Sequence, residues 1–229
     1  MTVDLNSEIE IRSKNPYASR GGLKLEGAFK DLKLNAKGKK AVDIGSSTGG
    51  FTDFLLKNGA DKIIDIDVGY GQLYWKLRNS PRVILFERTN IRHLDTSKLP
   101  FASDFTVVDV SFISIKKIFS KILELTKENG EILLLVKPQF ELEKKEVESK
   151  GIIRDRKLHL KVLLDMAKLM EKYPVRICDF AFSKLKGVKG NIEFWIFLVK
   201  CSKQAESVLN YDKIINSTVD RAHIYFNHK

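Results

Sequence analysis

From residue 19 onward, short apolar runs alternate with segments whose apolar positions recur at helical spacing. Leu25, Ala28, Phe29 and Leu32 predict a first amphipathic helix that starts at Ser19. Strand-like runs follow at 41–44, 62–67, 82–86, 105–110 and 131–137, and helical segments at 51–58, 72–79, 115–127 and 157–172. Strands separated by helices predict a parallel sheet covered on both faces. The last two apolar runs, 175–183 and 192–200, are joined by KLKGVKGN. That link is too short for a helical crossover, so the pair is expected as an antiparallel hairpin at the sheet edge. Residues 19–201 therefore read as one α/β unit, doubly wound and mostly parallel. Residues 1–18 read as an arm and 202–229 as a helical tail.

Composition narrows the class. The 229 residues are 43% hydrophobic and 30% charged, which suits one soluble core and excludes disorder or a collagen-like repeat. Cys178 and Cys201 are too few for a disulfide framework, so a reducing cytoplasm is the expected compartment. No apolar run approaches the roughly 20 residues of a membrane helix. The opening MTVDLNSEIEIRSK lacks the basic start and apolar core of a signal peptide. Forty Lys+Arg against 29 Asp+Glu leave a net charge of +11, which invites a polyanion: nucleic acid or an acidic membrane surface.

The segment AVDIGSSTGGFTDFLL places a small-residue turn between a strand and a helix. Gly45, Gly49 and Gly50 allow a tight turn and close approach to a ligand. Ser46, Ser47, Thr48 and Phe51 complete the candidate cofactor turn, and Asp43 at the strand end offers a carboxylate for a cationic amine. The spacing fits neither the dinucleotide G-x-G-x-x-G nor the phosphate loop, since no Lys follows the last glycine. A nucleoside ligand without phosphate is favoured. Asp67 lies about 20 residues beyond the turn, where Rossmann-like sheets hold ribose hydroxyls, and Asp65 shares its face. Asn90 offers an amide for an adenine edge, the alternative being a turn residue. The parallel doubly wound sheet with a terminal antiparallel hairpin resembles the architecture of S-adenosylmethionine-dependent methyltransferases, though fold alone does not establish function.

Three charged residues sit within or at the ends of apolar runs: Asp109 in FTVVDVSF, Lys137 in EILLLVKPQF and Glu193 in IEFWIFLV. Buried charge costs several kcal/mol unless it is paired, so such residues are partnered or functional. Lys24 carries no such signature; its own sequence context reads as a solvated helix lysine.

The stretches YASRGGLKLEGAF, VDIGSSTGGFTDFLL, DVGYGQLYWKLRNSPRVILFERTNIR, VVDVSFISI, LLVKPQFE, KGIIRDRKLH and KGNIEF closely resemble the haemolysin A (TlyA) family, whose catalytic domain is FtsJ-like. The resemblance runs from about Tyr17 to Lys200. It implies a Rossmann-like fold, S-adenosylmethionine as cofactor, ribose 2′-O-methylation of ribosomal RNA, and a Lys-Asp-Lys-Glu tetrad. Carried over by motif, the tetrad is Lys24, Asp109, Lys137 and Glu193. On this reading Lys137 is the base, Lys24 lends a charge that eases its deprotonation, Asp109 orients the ammonium or the cofactor, and Glu193 holds Lys24 or the ribose.

Basic residues cluster in three segments, for which the alternative reading is a solvated charged surface: Arg12, Lys14, Arg20 and Lys24 near the start; Lys144, Lys145, Lys150, Arg154, Arg156 and Lys157 after the fifth strand; and Lys184, Lys186 and Lys189 in the hairpin loop. Arg20, Lys144, Lys145, Arg154, Lys186 and Lys189 are the candidate contacts to ribosomal RNA or ribosomal subunits, with Tyr17, Tyr70 and Phe140 as candidate stacking residues. Family members carry a small RNA-binding domain ahead of SRGGLKL, and EIEIRSKNPYASRGG resembles its end and linker. The alternatives are a membrane-active cytolysin, for which no apolar helix or alternating span is present, and a binding module that has lost catalysis. No membrane contact is expected.

Overall fold

The computed structural model describes residues 15–147, 151–203 and 210–227. Arg12, Lys14 and Lys150, and most of the arm, lie outside the described residues. The elements in chain order are α1 (Arg20–Leu32), β1 (Lys40–Ile44), α2 (Gly50–Lys57), β2 (Lys62–Ile66), α3 (Trp75–Arg78), β3 (Val83–Phe86), β4 (Ser103–Val108), α4 (Phe119–Leu125), β5 (Thr126–Val136), α5 (Pro138–Glu141), α6 (Arg156–Met170), β6 (Val175–Phe182), β7 (Phe194–Lys200) and α7 (Tyr211–Asn227). Short 3-10 turns fall between several of them.

The described strands form one seven-stranded sheet in the order β3-β2-β1-β4-β5-β7-β6. β3, β2, β1, β4 and β5 run parallel, whereas β7 pairs antiparallel with β5 and with β6. The expected terminal hairpin is present, with its second strand inserted beside β5 and β6 on the outer edge. The chain winds outward in one direction from β1 through β2 and β3, then returns to β4 on the other side. The β1/β4 boundary is thus the topological switch point, the place where open α/β sheets leave a crevice at the strand ends.

Period-two alternation sorts the strand side chains between two cores. Val42, Ile44, Val108, Ile132, Leu134 and Val136 face α4, α6 and α7. Ala41, Ile63, Phe105, Val107, Leu133, Leu135 and Trp195 face α1, α2 and the loop after β2. Both sides being dry explains why the strands read as near-continuous apolar runs.

Several elements depart from the sequence pattern. The helix expected over 72–79 shrinks to the single turn α3, because Leu73 and Leu77 bury while Tyr74, Trp75 and Lys76 stay exposed. The helix expected over 115–127 divides into a 3-10 turn capped by the Ser114 side chain and the shorter α4, and Thr126 already begins β5. Asp109 lies just beyond β4 instead of inside it. The C-terminal segment contributes more than a tail: Ile215, Val219 and Ala222 of α7 are wholly buried, and Arg156 pairs with Asp220 at 2.5 Å across the α6–α7 seam.

That seam also holds a histidine pair. His159 Nδ1 lies 2.9 Å from His223 Nε2, and the His159 ring packs edge-on against Phe194. Burial, reinforced by His223, pushes His159 down to about 4. A base that binds its proton less readily when folded disfavours the fold as pH falls from its unfolded value of about 6.5 toward that depressed value. His159→Gln should therefore gain stability relative to the wild-type chain as pH drops through this window, measured by urea unfolding at matched pH.

Candidate active site

β1 runs into a left-handed turn. Gly45, Ser47 and Gly49 take φ values of 86°, 50° and 88°. Gly45 is required sterically as well, since a Cβ there would sit 2.6 Å from the Asp109 carbonyl oxygen. The turn after β1 and the loop after β4 are thereby packed backbone to backbone at the switch point. Ser47, a non-glycine in the left-handed region, is held by its N–H donating to Asp67 Oδ2 at 2.8 Å. Asp67 Oδ1 accepts from Gly69 N–H at 2.6 Å, so this carboxylate organises two loops.

Other sequence candidates fall differently. Asp43 is wholly buried, and its Oδ2 accepts from Thr52 N–H at 3.1 Å and Thr52 Oγ1 at 2.8 Å. The carboxylate expected to face a ligand amine is turned under α2 toward Thr52, and Asp43 is not among the residues that line the cavity. Asn90 is exposed, and its side-chain oxygen accepts from Arg92 N–H, capping a 3-10 turn in the manner of an ordinary turn residue.

Lys24, Asp109, Lys137 and Glu193, scattered through the sequence, converge on one cavity of about 830 Å³. Lys137 follows β5 directly, and its Nζ lies 2.7 Å from Asp109 Oδ1 and donates to Ser111 Oγ at 2.8 Å. Lys24 projects from α1 and donates to Glu193 Oε2 at 2.6 Å. Glu193 immediately precedes β7, whose antiparallel course brings its start to the same sheet edge as the end of β5. Burial raises the Glu193 carboxyl, and Lys24 counteracts that rise. Of the two partners offered for Glu193 by the sequence, Lys24 or the ribose, its carboxylate meets Lys24 here, and that pairing offsets the charge of Lys24.

Hydrogen bonds tie the surrounding loops together. Glu141 of α5 accepts from Ser114 Oγ at 2.5 Å and Ile115 N–H at 2.8 Å, locking the loop after β4 to the segment carrying Lys137. Asn191 accepts from Ile153 N–H at 2.7 Å and donates to Gly151 O at 2.8 Å, joining the hairpin loop to the segment before α6. Gly187 lets that loop lie against Glu193, since a Cβ would come within 2.4 Å of Oε1. These contacts form one wall of the cavity.

Gly45, Ser46, Ser47, Thr48, Gly50 and Phe51 line the cavity beside the tetrad. The buried Ser46 hydroxyl and Gln139 carbonyl oxygen have no protein hydrogen-bond partner. A polar ligand suits such groups, and the absence of a lysine in the turn suits one that carries no phosphate there.

Arg20, Lys186 and Lys189 also line the cavity, and Arg20 donates to Lys186 O at 3.4 Å. Lys144, Lys145 and Arg154 are exposed outside its lining, with Lys145 ion-paired to Glu143. Arg156 and Lys184 are engaged elsewhere, with Asp220 and Asp31. Tyr17 packs on Phe54, and Tyr70 is exposed with Arg88 stacked 4.0 Å from its ring centre, outside the cavity lining. Phe140 does line the cavity, and its ring is 5.3 Å from that of Phe112. Phe112 itself was not singled out by pattern. It is 90% exposed at the cavity and takes φ 64°, an outlier for a bulky side chain. Ser111 and Gln139 also escaped notice, although each lies two residues from a tetrad member.

No helix among the described residues is long and apolar enough to cross a membrane. Residues 17–200 match the FtsJ-like methyltransferase family model. The chain is 35% identical over 207 residues to the 16S/23S rRNA (cytidine-2′-O)-methyltransferase TlyA of Mycobacterium tuberculosis, covering 90% of this chain and 77% of that protein. It is 42% identical over 189 residues to Hemolysin A of Brachyspira hyodysenteriae, covering 81% and 78%. A solved structure from Streptococcus thermophilus, provisionally named a hemolysin, superposes with a TM-score of 0.89 at 36% identity, over 95% of this chain and 78% of that one. The switch-point turn, the convergent tetrad and these likenesses agree: the chain belongs to the FtsJ-like methyltransferase family.

Proposed function

We propose that this protein transfers a methyl group from S-adenosylmethionine to a ribose 2′-hydroxyl of ribosomal RNA. The observation that carries the reading is the Lys137–Asp109 pair beside the Lys24–Glu193 pair, in one cavity with the glycine-rich turn. The relatives named as ribosomal RNA 2′-O-methyltransferases support the substrate class. Ribosomal RNA as substrate makes the cytoplasm the working compartment. Residues 19–201 form the catalytic unit in this reading.

Gly45, Ser46, Ser47, Thr48, Gly49, Gly50 and Phe51 would hold the cofactor, with Asp67 and Asn90 further along the edge. When bound, S-adenosylmethionine supplies an electrophilic methyl on a sulfonium. Lys137, paired with Asp109 as an ammonium at rest, would act as base after releasing that proton, its Nζ then accepting the proton of the ribose hydroxyl as the oxygen becomes methylated. Asp109 and Ser111 fix that nitrogen in direction and stabilise the ammonium it becomes. Lys24 and Glu193 hold each other against the ribose. General-base assistance of this kind contributes ~10²–10⁴-fold, and alignment of the two reactants adds to it.

The mouth suits RNA. Arg20, Lys186 and Lys189 meet the phosphate backbone through salt-sensitive contacts that carry no sequence information, with Lys144, Lys145 and Arg154 further out. Phe112 offers an exposed face on which a base can stack.

Purified protein incubated with tritiated S-adenosylmethionine and separated ribosomal subunits should label a ribose. Absence of label on any RNA, despite cofactor binding, would count against the reading. Lys137→Ala should abolish transfer while leaving the affinity for S-adenosylhomocysteine nearly intact by calorimetry; equal loss of both would remove Lys137 as the base. Phe112→Ala should lower kcat/KM for RNA by about tenfold, the scale of one lost stacking contact, again without weakening cofactor binding. Lys24→Met strands a carboxylate whose side chain is 3% exposed. It should cost about 3 kcal/mol in chemical denaturation, and adding Glu193→Gln should restore part of that loss.

A further inference from the structure

Beneath the cofactor turn lies a second group of acids that the transfer step does not use. β1 and β2 pair in parallel with Asp43 opposite Asp65, so both carboxyl groups leave the same face of the sheet and meet α2. Both residues are wholly buried. Thr52 of α2 stands between them, with Oγ1 at 2.8 Å from Asp43 Oδ2 and 2.6 Å from Asp65 Oδ1. The remaining oxygens, Asp43 Oδ1 and Asp65 Oδ2, have no hydrogen-bond partner in the protein.

A hydroxyl carries one hydrogen. It can donate to one of the two carboxyl oxygens, and the other short contact needs a hydrogen from the acid. Asp43 Oδ2 already accepts from Thr52 N–H at 3.1 Å, which marks it as the charged acceptor. Asp65 Oδ1 makes the shorter contact with Thr52 Oγ1 and takes no backbone donor among the described hydrogen bonds.

We propose that Asp65 is a protonated carboxylic acid that donates to Thr52, and that the chain Asp65–Thr52–Asp43 is a positioning device for the start of α2 and the cofactor turn. Two ionised carboxylates here would oppose each other across one hydroxyl in a dry interior. The charged groups acting on the pair are Asp67 on Asp65 and Asp109 on Asp43, all negative. Burial, the largest cause, pushes Asp65 up to about 7 and, with Asp65 beside it, Asp43 well above the usual carboxylate range, so burial and charge favour one proton on the pair without placing it on Asp65; the backbone donor on Asp43 does that. The proton itself follows from the hydrogen count. Its bearing on cofactor affinity rests on residues 45–51 being the cofactor turn, as proposed above.

An acid whose proton is held more tightly when folded adds stability at low pH, and this is lost as pH rises from about 4 to about 7. Asparagine donates the same bond without ionising. The thermal midpoint of Asp65→Asn, relative to the wild-type chain, should therefore climb as pH is raised through about 5 to 7. A difference that stays flat, or a uniform loss at every pH, would overturn the assignment. So would Asp43→Asn behaving in this way in place of Asp65→Asn. Infrared spectra of the wild-type protein carrying ¹³C-aspartate provide a check independent of folding variants. A protonated-carboxyl band should be present below about pH 6 and absent above about pH 8, and its absence throughout would exclude the proton. Thr52→Val should weaken S-adenosylhomocysteine binding about tenfold, the cost of an unsatisfied buried pair, with Asp65→Asn close to wild type. Loss of the pH effect refutes the proton; a normal pH effect with unchanged affinity in Thr52→Val refutes only the link to the cofactor turn.

Discussion

The turn after β1 and the loop after β4 touch backbone to backbone at the switch point, with no room for even a methyl group on residue 45. Everything at the site is referenced to this contact. It places the glycine-rich turn on one side and Asp109 on the other, and Asp109 in turn meets Lys137 at the end of the neighbouring strand. A side chain at Gly45 would have to separate the two loops, and the glycine-rich side of the cavity would lose its relation to the side that carries Asp109 and Lys137.

Electrostatic pairing does the rest. Four charges gathered at one sheet edge would be costly as isolated ions, yet here they form two opposite-sign pairs at 2.6 and 2.7 Å. The Lys137–Asp109 pair faces the cavity from the parallel strands, and the Lys24–Glu193 pair closes it from α1 and the start of β7. The antiparallel insertion of β7 is what makes the second pair available. Were β7 parallel to β5, its first residue would lie at the opposite edge of the sheet, about 20 Å away for a strand of this length. Fold topology and charge neutralisation are therefore one design, and the Glu141 and Asn191 hydrogen bonds hold the result in place.

The parallel order, the terminal hairpin and the glycine-rich turn were all legible in the chain, because each depends on local periodicity or on residues a few positions apart. Lys137 and Glu193 also announced themselves, as charges set against apolar strands. Lys24 did not, since an exposed-looking helix lysine and a buried ion-pair member share the same local pattern. Asp43 misled for the same reason: alternation assigns it to a sheet face without revealing that α2 covers that face. Phe112 stayed hidden because exposure of an aromatic side chain depends on a left-handed backbone that its neighbours do not encode.

By itself, then, the sequence determined the class of sheet and the candidate turn, and through its likeness to a known family it pointed to the four residues proposed as the tetrad. The tertiary structure alone decided who pairs with whom. Lys24 and Glu193 are 169 residues apart, and Asp43, Thr52 and Asp65 come from three successive elements. Such partnerships are set by the path of the chain through space, which fixes distances, burial and hydrogen count together. Periodicity along the chain carries no information about those quantities.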